Sequence, residues 1–227
     1  RLRSAPKGKP ILPPDINAFY AAVRSNSPQE NRTQRIERFC EKMAFWRGEV
    51  VRVTHANWAK TLQGLCAAKN VNSLLYGSHS PHAAALEAAG INGLKPYDRP
   101  VDEWKTELFR ETDAGFTSTR GGIAETGTLI VWPDAREPRL MSLVPPIHFA
   151  LLDSDQLHDT LFDAMTAQGW SDPSSPMPSN ALLISGPSKT ADIQIRRVIR
   201  LLRRHQLRKI SQRLPNTAGL LRKSVVH

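Results

Sequence analysis

Two short stretches place residues able to do chemistry at the ends of apolar runs. In IAETGTL, Glu125 stands between such a run and a Thr126-Gly127-Thr128 turn, preceded by Thr119, Arg120, Gly121 and Gly122. Burial there would raise its pKa and suit it to act as base or nucleophile. The alternative is a glutamate paired with Arg120 or held by nearby amides. In ALLISGPSKTADIQ, an apolar strand ends in a Ser185-Gly186-Pro187-Ser188 turn, with Thr190 and Asp192 behind it. Amides and hydroxyls at such a place can hold a phosphate or carboxylate, or Ser188 or Thr190 caps a following helix. A nucleotide P-loop requires GxxxxGK[ST]. Here Lys189 follows Ser188 and the earlier glycine is missing, which excludes it.

The remaining chemistry-bearing residues suggest no redox or metal centre in this chain. His148, in PPIHF, lies inside an apolar run and reads as a core histidine, while His55, His79 and His82 lack metal-ligand spacing such as HExxH. No metal is expected. Cys40 and Cys66 fall within apolar periodic stretches. They read as core thiols, and two thiols cannot supply the four ligands of an iron–sulfur cluster. No GxGxxG or haem motif is present.

Periodicity gives the elements that position these residues. Residues 1–30, rich in Pro, Lys and Ser, form a loose arm with one apolar patch (Ile16, Phe19, Tyr20, Val23), one or two helical turns that dock and do not catalyse. From Asn31, apolar residues at Ile36, Phe39, Cys40 and Met43 predict a helix that stops at Gly48, before a strand at 49–53. A helix over 56–68, a strand at 73–76, a helix over 82–89 ending at Gly90 and a helix over 102–110 follow. Alternating strands and helices imply an α/β fold with a mainly parallel sheet flanked by helices. Residues 113–133 pack extended pieces between glycines, MSLVPPIHFALL reads as a buried strand after a Pro-Pro turn, 153–167 as an amphipathic helix and NALLIS as a strand buried on both faces.

Charge is unevenly placed. The net charge is +10, yet Ile195 to His227 holds ten Lys or Arg and no acid, leaving residues 1–194 with 21 of each sign. The body is neutral, so nucleic acid is not the expected partner despite the overall basicity. No apolar run reaches the ~18 residues a membrane-spanning helix needs. A cytoplasmic protein is the expectation.

IAETGTLIVWP, RLMSLVPPIHFALL and ALLISGPSKTADIQ, in this order and spacing, resemble the lactate utilization (LUD) domain family, specifically its lactate utilization protein C group. The resemblance runs from about Asn31 to Gln194. It implies a fold like that of ribose-phosphate isomerase and the coenzyme A transferases. It also implies a part in oxidising L-lactate to pyruvate beside iron–sulfur partner proteins, with no cofactor in this chain. The matching positions are Glu125, Thr126, Gly127 and Thr128, and Ser185, Gly186, Ser188, Thr190 and Asp192. By analogy with the glutamate nucleophile of coenzyme A transferases, Glu125 is the catalytic candidate and the others are ligand-binding candidates. Rival readings are an independent transferase or isomerase acting on a small carboxylate or phosphate through Glu125, and a polyanion-binding protein using the basic tail.

After Gln194 the likeness ends. Relatives continue through a Gly-x-His-Gly-Pro turn into an apolar strand, whereas this chain gives IRRVIRLLRRHQLRK. The expected division is thus arm 1–30, LUD domain 31–194 and basic tail 195–227. Three readings of the tail stand: a changed reading frame near Gln194, a basic helix for an anionic surface, with Ile195, Val198, Ile199 and Leu202 at helical spacing, or a helix replacing the missing strand.

Overall fold

The computed structural model describes residues 14–26, 30–170, 172, 174, 180–187, 189–190, 193–194 and 197–204. The N-terminal apolar patch winds into α1 (Ile16–Asn26), longer than the one or two turns expected. It docks by stacking Tyr20 on Phe162, with ring centroids 4.4 Å apart and planes 5° from parallel. α2 (Arg32–Phe45) starts at a reciprocal cap: Gln34 N–H donates to Asn31 Oδ1 and Asn31 N–H to Gln34 Oε1. Its Ile36, Phe39 and Met43 are buried, as their spacing requires.

β1 (Glu49–Thr54), α3 (Trp58–Ala68), β2 (Leu74–Tyr76) and α4 (Ala83–Ala88) follow in the expected order. Gly90, at φ 65°, ends α4 in the left-handed region that glycine tolerates. β3 (Leu94–Pro96), not anticipated from sequence, precedes α5 (Lys105–Arg110), β4 (Ala114–Ser118), β5 (Gly121–Ile123), β6 (Thr128–Val131) and α6 (Leu140–Leu143). β7 (Ile147–Asp153), β8 (Leu157–His158), α7 (Leu161–Ala167), β9 (Leu182–Ile184), β10 (Lys189–Thr190), β11 (Ile193–Gln194) and β12 (Arg197–Arg204) complete the described chain.

The main sheet has the order β1-β12-β7-β4-β2-β3, and every pairing in it is parallel. Successive residues point to opposite faces. Phe149 and Leu151 join Leu74, Phe116 and Leu201 under Trp58, Leu62 and Leu86 of α3 and α4. Ala150, Leu152 and Leu202 face α2 and a second, four-stranded sheet of order β8-β5-β6-β9. Leu75 meets α5 and α6 through Leu108 and Met141. This is the α/β architecture, a mainly parallel sheet flanked by helices, that the alternation of elements predicts. Cys66 lies in the core on one face and Cys40 packs against the core on the other; they form no disulfide.

The buried strand begins at Ile147, after the Pro-Pro turn: Pro145 and Pro146 cannot donate to a ladder, and the residues before them turn into α6. Two local expectations are corrected. The helix expected over 153–167 is broken into a single turn at Ser154–Gln156, the short β8, and α7. Thr160 and Asp163 cap each other reciprocally and fix the start of α7. β9 pairs antiparallel with β6 and leaves Leu183 49% exposed, so it is not buried on both faces.

The helical readings of the tail are also corrected. Residues 197–204 form a strand between β1 and β7, with Val51 and Leu151 both in register with Leu201. Leu201 and Leu202 are fully buried, one toward each core. A short run such as VIRLL fits helix or central parallel strand equally by pattern. Here β1 and β7 each offer a row of N–H and C=O groups that a strand between them satisfies.

Candidate functional site

In an open parallel sheet, ligands bind beyond the carboxyl ends of the strands, where chain connections leave in opposite directions. From β2 the chain moves outward to β3, and from β4 it moves the other way to β7, so β2 and β4 flank the switch point. A pocket of about 360 Å³ lies there, lined by Pro81 and His82 after β2, Ser118 at the end of β4, Thr119 and Arg120 just beyond it, and the 132–137 loop after β6.

The loop carries Glu137 into this crevice. Asp134 ties the turn: Oδ1 accepts the N–H groups of Arg136 and Glu137 at 2.8 and 2.9 Å, and Oδ2 accepts the Arg136 guanidinium at 2.7 Å. Burial opposes ionisation of Asp134, but these donors outweigh it and hold its carboxyl below the usual range. Gly77, just after β2, lets the loop approach, since a Cβ there would lie 2.0 Å from the Arg136 carbonyl oxygen.

Glu137 is only 7% exposed. Its Oε2 accepts the backbone N–H of Ser118 at 2.9 Å and the Ser118 hydroxyl at 2.6 Å. Burial raises its pKa against the opposing pull of these two donors. Its Oε1 is buried with no hydrogen-bond partner among the described residues, as is Trp132 Nε1 in the same lining and the hydroxyls of Ser78 and Ser80 in the loop after β2. Buried polar atoms are nearly always bonded, so the two orphans Glu137 Oε1 and Trp132 Nε1, on residues of one lining, mark a place prepared for something polar. Arg120 stands with its guanidinium 4.8 Å over the Trp132 ring. His82 packs edge-on against Trp58 and Phe116, which stack on each other. Behind the pocket, His148 is fully buried with Nε2 2.9 Å from Thr117 Oγ1, a core position as its sequence context predicts.

The residues singled out from sequence gather at the other end of the β5–β6 hairpin. Glu125 and Thr126 are exposed in the turn joining the two strands. The carboxylate is therefore not buried as the catalytic argument required, and Arg120 sits over Trp132 at the hairpin's opposite end. The two motifs do meet: Thr128 Oγ1 lies 2.7 Å from Thr126 Oγ1 and 2.8 Å from Ser185 Oγ. Gly127 takes φ 65°, and a Cβ on it would lie 2.7 Å from Lys42 Cβ; one on Gly186 would lie 2.5 Å from the Trp46 carbonyl oxygen. Both glycines thus seat the motifs against the end of α2, beside an open groove of about 430 Å³ lined by Phe45, Trp46, Glu125, Thr126 and Leu183. Thr190 falls in β10, which pairs antiparallel with β11, so it does not cap a helix there. Ser188 and Asp192 lie outside the described residues.

A model of the LUD domain family matches residues 36–205. The chain belongs to the LUD domain family. This LUD chain is 36% identical over 189 residues to an uncharacterized protein of Neisseria meningitidis serogroup B, covering 82% of this chain and 79% of that one. It is 24% identical over 157 residues to Lactate utilization protein C 1 of Bacillus mycoides, covering 66% and 67%. The crystal structure of a DUF162 family protein from Deinococcus radiodurans matches with a TM-score of 0.61 at 20% identity, over 77% of this chain and 99% of that one, and so shares the LUD fold.

Within this LUD domain, sequence reasoning named Thr119 and Arg120 only as neighbours of Glu125 and missed Ser118, Trp132, Asp134 and Glu137. The available signal was an acid beside a proline, in a loop leaving a wholly apolar strand. Among the described residues, no three His, Cys, Asp or Glu gather to hold a metal ion, and no helix is long and apolar enough to cross a membrane.

Proposed function

We propose that the chain acts in lactate utilization, as a subunit that supports oxidation of L-lactate to pyruvate beside iron–sulfur partner proteins in the cytoplasm. The observation that carries this reading is the polar pocket at the β2–β4 switch point, sized for a small acid, in a LUD domain related to a protein named for lactate utilization. The sequence contains only two cysteines, Cys66 in the core and Cys40 packed against its other side, so cluster-borne electron transfer falls to partners. Deletion of the gene should abolish growth on L-lactate but not on glucose, and the tagged chain should co-purify with a cysteine-rich partner from lactate-grown cells. Normal growth of the deletion strain on L-lactate would overturn the proposal.

A further inference from the structure

The switch-point pocket has a defined chemical preference. Glu137 presents two unlike oxygens: Oε2 is saturated by both donors of Ser118, and Oε1 has no partner among the described residues. An ionised carboxylate at Oε1 accepts a hydroxyl proton, and a protonated one donates to a carbonyl oxygen. The same atom thus serves a ligand oxygen at either oxidation level. Trp132 contributes an unpartnered indole N–H to the same lining, and Arg120 lies over the ring of that tryptophan. Arg136 is engaged by Asp134, whereas Arg120 has no ion pair among the described residues. One available cation, one N–H donor and one donor-or-acceptor oxygen suit a single negative charge with a neighbouring neutral oxygen. A dianion such as phosphate would meet repulsion from Asp134 and Glu137 in the wall.

We propose that this pocket binds a short monocarboxylate bearing a hydroxyl or keto oxygen at C2, with Arg120 and Trp132 Nε1–H holding the carboxylate and Glu137 meeting the C2 oxygen. The choice of acid rests on the lactate reading; the location and the residues rest on the geometry alone.

Calorimetric titration of the full chain with sodium L-lactate, pyruvate, propionate and inorganic phosphate tests it. L-Lactate and pyruvate should bind, propionate at least about tenfold more weakly because Oε1 stays unpaired, and phosphate should not compete. Glu137→Ala should erase the preference over propionate. Trp132→Phe, which keeps the ring under Arg120, and Arg120→Ala should weaken all three acids together, with partial rescue by Arg120→Lys. If circular dichroism shows Glu137→Ala unfolded, Ser118→Ala, which loosens the hold on Oε2, should narrow the same preference. Equal affinity for propionate, competition by phosphate, a preference unchanged in the Glu137 or Ser118 variant, or no binding at about 10 mM overturns the assignment. No binding with growth on L-lactate still dependent on the gene would sink the pocket alone. Binding with growth independent of the gene would sink only the pathway reading.

Discussion

Ser118 donates twice to one oxygen of Glu137, through its backbone N–H at 2.9 Å and its hydroxyl at 2.6 Å. Both bonds favour the ionised carboxylate, yet burial outweighs them and the pKa is raised above 4.5. The folded chain then keeps a proton that the unfolded chain has released, so this group lowers stability as pH rises above about 4.5. Glu137→Gln retains an oxygen for Ser118 and cannot titrate. Urea unfolding across a pH series should show the Gln variant gaining on the parent as pH rises above about 4.5. A stability difference that stays flat with pH would contradict the assigned direction.

Gly77 controls how closely the Glu137 loop approaches β2. An added Cβ would meet the Arg136 carbonyl oxygen at 2.0 Å and Glu137 Cγ at 3.1 Å, and the first contact is backbone that cannot swing aside. Gly77→Ala should therefore cost about 1–3 kcal/mol and weaken acid binding. Gly64→Ala is the matched control. Its Cβ meets nothing within 4 Å on the exposed side of α3, so it should be neutral or stabilising by up to ~1 kcal/mol. Thermal melts of the two variants side by side decide this. Equal melting temperatures would show that the loop yields.

The parallel sheet was legible because its local signals agree: Asn31 caps α2, Gly90 ends α4, and apolar residues at Ile36, Phe39 and Met43 recur at helical spacing. The pocket was not. Ser118 and Glu137 are 19 residues apart, and His82 joins them only because β2 and β4 become neighbours while their connections diverge. Strand order is a property of the whole sheet, and no local pattern carries it. The family motifs at Glu125–Thr128 and Ser185–Gly186 were visible, but their glycines fit the backbone of α2 as closely as any ligand role would demand.

That fit separates two parts of the motif by experiment. Gly127→Ala combines a left-handed φ of 65° with a contact of 2.9 Å to backbone atoms of Lys42 and Met43. It should cost about 2 kcal/mol or more. Glu125→Gln, on an exposed turn, should leave stability within about 0.5 kcal/mol. Chemical denaturation measures both. If Glu125→Gln abolishes growth on L-lactate at normal protein level, chemistry at this turn is restored as a reading; unimpaired growth removes it.

The strand at 197–204 gives the last prediction. It lies between β1 and β7 and buries Leu201 and Leu202 completely, so the sheet's continuity depends on residues beyond Gln194, within the span the family model matches. Leu201→Ala and Leu202→Ala should each cost about 2–5 kcal/mol, through lost burial and the cavity left behind. Truncation after Gln194 would expose the facing edges of β1 and β7 as unpaired backbone, and the shortened chain should aggregate. A soluble, cooperatively melting chain of residues 1–194 would refute the central placement of this strand. Resequencing the gene across codon 194 checks the reading frame independently: an alternative frame encoding Gly-x-His-Gly-Pro would mean that the strand drawn by Val198 to Leu202 stands in for one the gene encodes.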